Sequence, residues 1–392
     1  MKTMNILVFS LLCCLSSKSV LSSSDHYNAI FNFGDSHSDT GNFLITGALA
    51  YPEIKNLPYG ETFFHHATGR CSNGRLIIDF IAEAFGLPYL PPYLAVAEGP
   101  PVRMGVNFAV AGATAIDGSF FSAQNITLWT NDSLNVQLGW FKSLKSSLCT
   151  TKQDCDEYFK KSLFLVGEIG ENDYNLPFLF GRTIEQLRPL VPQIVGAIIR
   201  AVSTLIEEGA VNLVVPGQLP TGCISMYLTL FQSANESAYD PKTGCLEAYN
   251  ALFKYHNNYL KQELQKLREQ YPHARIMYAD YYGASISIYR TPKFYGFYGG
   301  ALTACCGGGG PYNFNTSAYC GQSGSTVCKD PSAFVDWDGI HSTESAYHYI
   351  ARGLIDGGFI SPPLLFQFNY LHYTKNAVRQ FVLSKVTYLL PE

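Results

Sequence analysis

Short apolar runs and amphipathic stretches alternate along most of this chain. Ala29 to Phe33 is an almost continuous apolar run, the mark of a strand covered on both faces. Val106 to Val110, Leu163 to Val166, Val211 to Val215 and Arg275 to Ala279 repeat it. Between them lie stretches with helical periodicity. These are Arg75 to Phe85, stopped by Gly86 and Pro88; Leu134 to Leu148; Val191 to Glu208, closed by Gly209; Leu246 to Gln270; and Thr343 to Ile355. Such alternation predicts an α/β fold: a central parallel sheet of about five strands with helices on both faces, in the manner of flavodoxin. The strand-like runs end in turn formers, at Gly34, Gly167 and Pro216–Gly217. Val110 runs into the small residues Ala111 to Thr114.

No internal repeat and no Gly/Ser or Pro linker divides the pattern, so residues 24–360 read as one domain with long loops. The largest loop, about Phe294 to Phe334, holds the glycine run Gly307 to Gly310 and four cysteines. No Gly-Lys-Ser/Thr follows those glycines, which argues against a phosphate cradle. Residues 1–23 have the layout of a secretory signal: Lys2, the apolar Ile6 to Leu15, then the small residues Ser22 to Ser24. That apolar run is far shorter than the roughly 20 residues of a membrane-spanning helix. No later segment reads as long, apolar and charge-free enough to span, so no stable membrane insertion is expected. Residues 361–392 form an extension, apolar and aromatic but interrupted by Lys375, Arg379 and Lys385, to which no structure is assigned.

Cysteine usage fits an oxidising compartment. Beyond the signal there are nine cysteines, so one is left over. Close spacing suggests Cys149–Cys155 and Cys223–Cys245, with two bridges among Cys305, Cys306, Cys320 and Cys328, leaving Cys71. Zinc is the rival for the last four, but adjacent cysteines suit tetrahedral ligation poorly. Asn125, Asn131, Asn235 and Asn315 each begin an Asn-x-Ser/Thr acceptor triplet and are candidate glycan sites. Charged residues make up only 15% of the chain and the net charge is −4. That gives no basic footprint for nucleic acid.

The chemistry concentrates at strand ends. Ser36 lies just past the first strand, at the carboxyl edge where α/β sheets bind ligands. A serine hydroxyl needs a base to take its proton, and that base needs a carboxylate to hold its tautomer. His341 and Asp338, three residues apart before the last helix, are the candidates, with Ser342 or Thr343 capping that helix. Charge developing on a carbonyl oxygen needs preorganised donors. The backbone N–H groups of Ser36 and Gly112 and the amide of Asn172 are candidates for this oxyanion hole, and glycine at 112 lets a substrate approach closely. Alone, each motif has a plain structural alternative: Gly-Asp-Ser a turn, Asp-x-x-His a surface pair, Asn172 a turn residue, Gly112 a packing site. Their joint placement at loops of one alternating pattern favours chemistry. His65 and His66 lie in an aromatic loop that could line a pocket. His37 has no orienting carboxylate at a telling spacing, and His256 and His348 sit within helices. No Gly-x-Ser-x-Gly elbow, His-Glu-x-x-His or Gly-x-Gly-x-x-Gly occurs, and nothing points to a metal or other cofactor.

Taken together, several segments resemble the GDSL esterase/lipase family within the SGNH hydrolases: FGDSHSDTGN (33–42), PYGETF (58–63), GRCSNGR (69–75), VNFAVAG (106–112), GEND (170–173) and DGIH (338–341). The likeness covers roughly Tyr27 to Ile360. The layout is similar to the secreted plant branch, including the acetylajmalan esterase-like type that deacetylates alkaloids or cleaves sinapate esters. The resemblance implies a three-layer α/β/α sandwich and no cofactor. It also implies Ser36, Gly112, Asn172 and His341 as the signature residues, with Asp338 completing a triad. The branch commonly carries an aromatic, usually Phe, where this chain has His37, so acyl preference or pH profile is expected to differ. The tail after Ile360 matches the family poorly.

The reading is a secreted serine carboxylesterase, extracellular or vacuolar, acting on a small-molecule ester through an acyl-enzyme. A small acyl group such as acetyl, on a specialised metabolite such as an alkaloid, is the preferred substrate. Lipid acylhydrolase and acyltransferase are the alternatives with the same triad. A non-catalytic secreted binding protein is the alternative from another class.

Overall fold

The structure, a computed structural model, describes residues 27–96 and 102–365; the stretch read as a signal and most of the stretch read as a C-terminal extension lie outside the described residues. Five parallel strands carry the fold: β1 (Ala29–Phe33), β2 (Gly105–Asn107), β3 (Ser162–Val166), β4 (Asn212–Pro216) and β5 (Arg275–Ala279). In the long loop, β6 (Cys306–Gly307) and β7 (Thr326–Val327) pair as a small antiparallel hairpin. A last, two-residue strand, β8 (Ile360–Ser361), lies antiparallel on β5. The six-stranded sheet runs β2-β1-β3-β4-β5-β8. It contains the five parallel strands expected, plus an edge strand that crosses the boundary drawn at residue 360. Arg275 fixes the segment beyond β8 by donating to the carbonyls of Pro363 and Leu364.

Successive strand residues point to opposite faces, which sorts the apolar runs into two cores. Phe31, Phe33, Phe164, Val166, Leu213 and Val215 face one side, covered by helices Leu134–Leu148, Val191–Glu207 and Glu247–Gln270. Ile30, Leu163, Leu165, Val214 and Met277 face the other, covered by Ile77–Ala84, Tyr281–Arg290 and Glu344–Ile355. The result is a three-layer α/β/α sandwich.

Three differences from the sequence reading have local causes. β2 stops at Asn107 rather than Val110, because Asn42 Nδ2 takes the carbonyls of Asn107 and Ala109 and draws the chain over the sheet's carboxyl edge. A helix at Asn172–Leu179 follows β3; its polar start and internal Pro177 give no helical signal. The helical run Ile184–Glu207 is, contrary to the reading, long and apolar enough to cross a membrane. Here Ile194, Val195, Ile198, Val202 and Leu205 are buried in the protein's own core.

Among the described residues the cysteines pair as Cys149–Cys155, Cys223–Cys245, Cys305–Cys328 and Cys306–Cys320, leaving Cys71 as a buried free thiol. The last two bridges take up the four thiols that zinc would have needed. They staple the long loop to itself beside the sheet's carboxyl edge.

Candidate active site

The loop after β1 is shaped by Gly34. Its φ is +144°, and a Cβ there would lie 2.6 Å from Ser38 Oγ and 2.7 Å from the Glu168 carbonyl, so no other residue fits without displacement. Gln137 closes a two-bond ring on it, accepting from Gly34 N and donating to Gly34 O. Asp35 N donates to Glu168 O, which ties this loop to the one after β3. Ser36 stands at the turn, 8% exposed.

Two buried aspartates lash the neighbouring loops together. Asp39 accepts from the N–H groups of Gly41, Asn42, Phe43 and Ala111. Asp173 accepts from those of Ala115 and Ile116. The segment around Gly112 is therefore held from both sides. Burial pushes Asp39 up to about 6 and Asp173 up to about 7, against the pull of those donors. Gly112 has φ +82°, and a Cβ would meet Trp129 Cβ at 2.7 Å. The Asn172 amide donates to the Ala113 carbonyl at 3.0 Å and to Asp35 Oδ2 at a longer 3.3 Å.

At the other end of the chain, Asp338 Oδ2 accepts from His341 Nδ1 at 2.8 Å. Its Oδ1 accepts from the backbone N–H groups of Ile340 and His341. Burial works to raise this carboxyl, but the His341 imidazole and those donors outweigh it and hold it below the usual carboxylate range. With Nδ1 donating, the lone pair of His341 is on Nε2. Thr343 caps the following helix, its hydroxyl accepting from Ala346 N, which fixes where the loop ends.

Ser36, Gly112, Asn172 and His341 line one cavity of about 140 Å³. Asp338 stands behind His341. The five residues picked from sequence thus come together, although the chain that joins them runs through the whole sheet. The rest of the wall is largely apolar, with Tyr51, Trp129, Met226 and Ile340, and with Phe314 and Tyr319 from the stapled loop.

Sequence reasoning missed the partners of His37. Its ring lies 5.3 Å from that of His341, centre to centre. Nδ1 meets Tyr347 Oη at 2.8 Å, and Nε2 lies 3.5 Å from Glu171 Oε2. Burial alone would lower this imidazole, but Glu171, with Asp35 and Asp338 beyond it, raises it above the ordinary range. Glu171 adjoins Asn172, so its charge could have been noted; that it faces His37 could not. Among the described residues one trio, Asp35, His37 and Glu168, brings a ligand atom apiece within 4.8 Å of one another. Burial raises both Asp35 and Glu168, and the neighbouring Asp35 charge raises Glu168 further.

The remaining candidates scatter. His65 and His66 are exposed and do not line the cavity. His256 is buried, bonded to Tyr174 Oη, and burial pushes it down to about 3. His348 is exposed on the last helix. Asn125, Asn131, Asn235 and Asn315 are all exposed, as a glycan would require.

A profile described as GDSL-like Lipase/Acylhydrolase matches residues 30–354. A GDSL esterase/lipase of Arabidopsis thaliana is 54% identical over 342 residues, which cover 86% of this chain and 92% of that protein. Sinapine esterase of Brassica napus is 48% identical over 339 residues, which cover 86% of this chain and 87% of that protein. A further Arabidopsis GDSL esterase/lipase is 46% identical over 364 residues, 91% of this chain and 94% of that one.

Proposed function

Since the chain belongs to the GDSL-like lipase/acylhydrolase family and is a carboxylic ester hydrolase, we propose that it works through an acyl-enzyme on Ser36. Ser36 Oγ attacks the ester carbonyl carbon while His341 Nε2 takes its proton. Asp338 holds the Nδ1–H and stabilises the imidazolium that forms. The oxyanion accepts from the backbone N–H groups of Ser36 and Gly112 and from the Asn172 amide, whose longer bond to Asp35 is the one that yields. The tetrahedral intermediate collapses as His341 returns the proton to the departing alkoxide. Water then repeats the cycle on the acyl-serine and releases the acid. An acceptor alcohol in place of that water would give acyl transfer.

One observation carries this reading: Ser36 and His341 line a single cavity, with Asp338 bonded to the far nitrogen of the imidazole. The substrate proposed is a small acyl ester, acetyl above all, of a plant specialised metabolite such as an alkaloid. The size of the cavity supports it, and one relative is named as an esterase of sinapine. Leu179 and Leu230, both on the cavity wall and both exposed, favour a second reading, a longer acyl chain as in lipids. Four disulfides support passage through the secretory pathway to the apoplast or vacuole, with glycans on the four exposed acceptors.

A fluorophosphonate probe tests the mechanism. The wild type is expected to be labelled and Ser36→Ala to be blank. A folded, unlabelled wild type would leave a binding protein as the better account. Free acid released from a panel of acetyl to long-chain esters separates the two substrate readings.

A further inference from the structure

The PYGETF segment at 58–63 has no part in the mechanism above, yet it places a side chain on the triad. Tyr59 is fully buried, and its hydroxyl donates to Asp338 Oδ2 at 2.8 Å, the same oxygen that accepts from His341. Two backbone N–H groups fill Oδ1, so the carboxylate meets four donors, about as many as its lone pairs can take. A hydroxyl has one proton. Because Tyr59 spends its own on Asp338, the 2.6 Å contact between the Tyr51 and Tyr59 oxygens must run from Tyr51 to Tyr59. Tyr51 lines the substrate cavity. A directed chain therefore runs from the cavity wall through two phenols to the triad carboxylate.

We propose that Tyr59, backed by Tyr51, is a positioning residue of the esterase: it holds Asp338 ionised and so extends activity toward acid pH. The proposal rests on the mechanism put forward above. The reason is desolvation. Asp338 is 2% exposed, so its charge depends on the groups it touches rather than on water. Besides His341 and Tyr59, the titratable groups around it are Asp336 on its own loop, Tyr51 and Cys71 from the 51–71 segment, His37 after β1, and Tyr347 on the last helix. Only the two imidazoles among them can carry positive charge. A phenol that gives a hydrogen bond to a buried carboxylate favours its ionised form. Both tyrosines are themselves held far above the ordinary phenol range, first by burial and then by the Asp338 charge, so each remains a donor at any working pH.

The test is the pH dependence of kcat/KM for an acetyl ester, measured on the full chain with Tyr59→Phe and Tyr51→Phe. The acid limb reports the Asp338–His341 pair as a unit. In Tyr59→Phe it is expected to move to higher pH by about one unit, since one charged hydrogen bond is lost. In Tyr51→Phe it should move the same way by less. KM should be nearly unchanged in Tyr59→Phe, and thermal midpoints of both variants should stay within a few degrees of wild type. An acid limb that stays put in folded Tyr59→Phe would overturn the proposal, as would an equal loss of rate at every pH. If Tyr59→Phe does not fold, Tyr51→Phe decides alone, on the same criterion. A wild type without esterase activity overturns the parent reading as well; an active wild type with an immobile limb overturns only this one.

Discussion

At the scale of single residues, the site is a set of polar groups whose partners are already chosen. Asn172 shows this well. Its amide is pinned by Ala113 and Asp35, so the donor direction is set before any ester arrives. Preorganised donors of this kind carry much of the rate of acyl transfer. Asn172→Ala is expected to lower kcat by roughly 10² to 10³. Steady-state rates on a good ester check it, and unchanged turnover would remove Asn172 from the oxyanion hole. The sequence made Ser36, Asn172, Asp338 and His341 legible because each stands at a strand or helix boundary marked by glycine or a cap. The environments of Asp39, Asp173 and Tyr59 were not legible. Their work is done by hydrogen bonds to backbone or carboxylate groups far along the chain, and no local pattern encodes such bonds.

At the scale of elements, four pieces of chain meet over the carboxyl edge of the sheet: the loops after β1, β2 and β3, and the turn before helix Glu344–Ile355. The pair His37–Glu171 is one of the ties between the first and third. Both side chains are at most 5% exposed, so removing one partner strands a charge without water. Glu171→Leu is expected to cost about 3 kcal/mol of stability, and His37→Phe with Glu171→Leu should recover most of it. Denaturant melts of the two single variants and the double variant measure the coupling, and additive losses would show that the pair is not coupled. Elements with strong periodicity or continuous apolar runs were legible, Leu134–Leu148 to the residue. β2 was over-extended because the side chain that diverts it, Asn42, belongs to another segment, the short helix Asn42–Ile45. β8 was invisible because two residues on a sheet edge have no period.

At the scale of the whole molecule, buried acids set how stability follows pH. Asp39, Asp173 and Asp336 titrate at about 6, 7 and 6, above the ordinary aspartate value of about 4. The native state therefore binds their protons more tightly than the unfolded chain. Stability should fall as pH rises from the ordinary carboxylate range to about 7. His256, pushed down to about 3, acts in the opposite sense and loses stability as pH falls below the ordinary imidazole range. The raised Asp35, Glu168 and His37 act with the three aspartates, and the lowered His348 acts with His256, so the thermal midpoint is expected to lie a few degrees higher at pH 5 than at pH 7.5. Melting curves across that window decide it; a midpoint that climbs toward alkaline pH would contradict the assignment.

The distance along the chain between Ser36 and His341 has a consequence for biosynthesis. A ribosome delivers the serine early and the histidine near the end of the message. Until helix Glu344–Ile355 docks on Ile77–Ala84, a nascent polypeptide has its nucleophile but nothing to activate it. A product truncated by a premature stop before Asp338 would keep the five parallel strands and be inert toward esters. Translation order would thus leave the proposed nucleophile without its base until the last helix is in place.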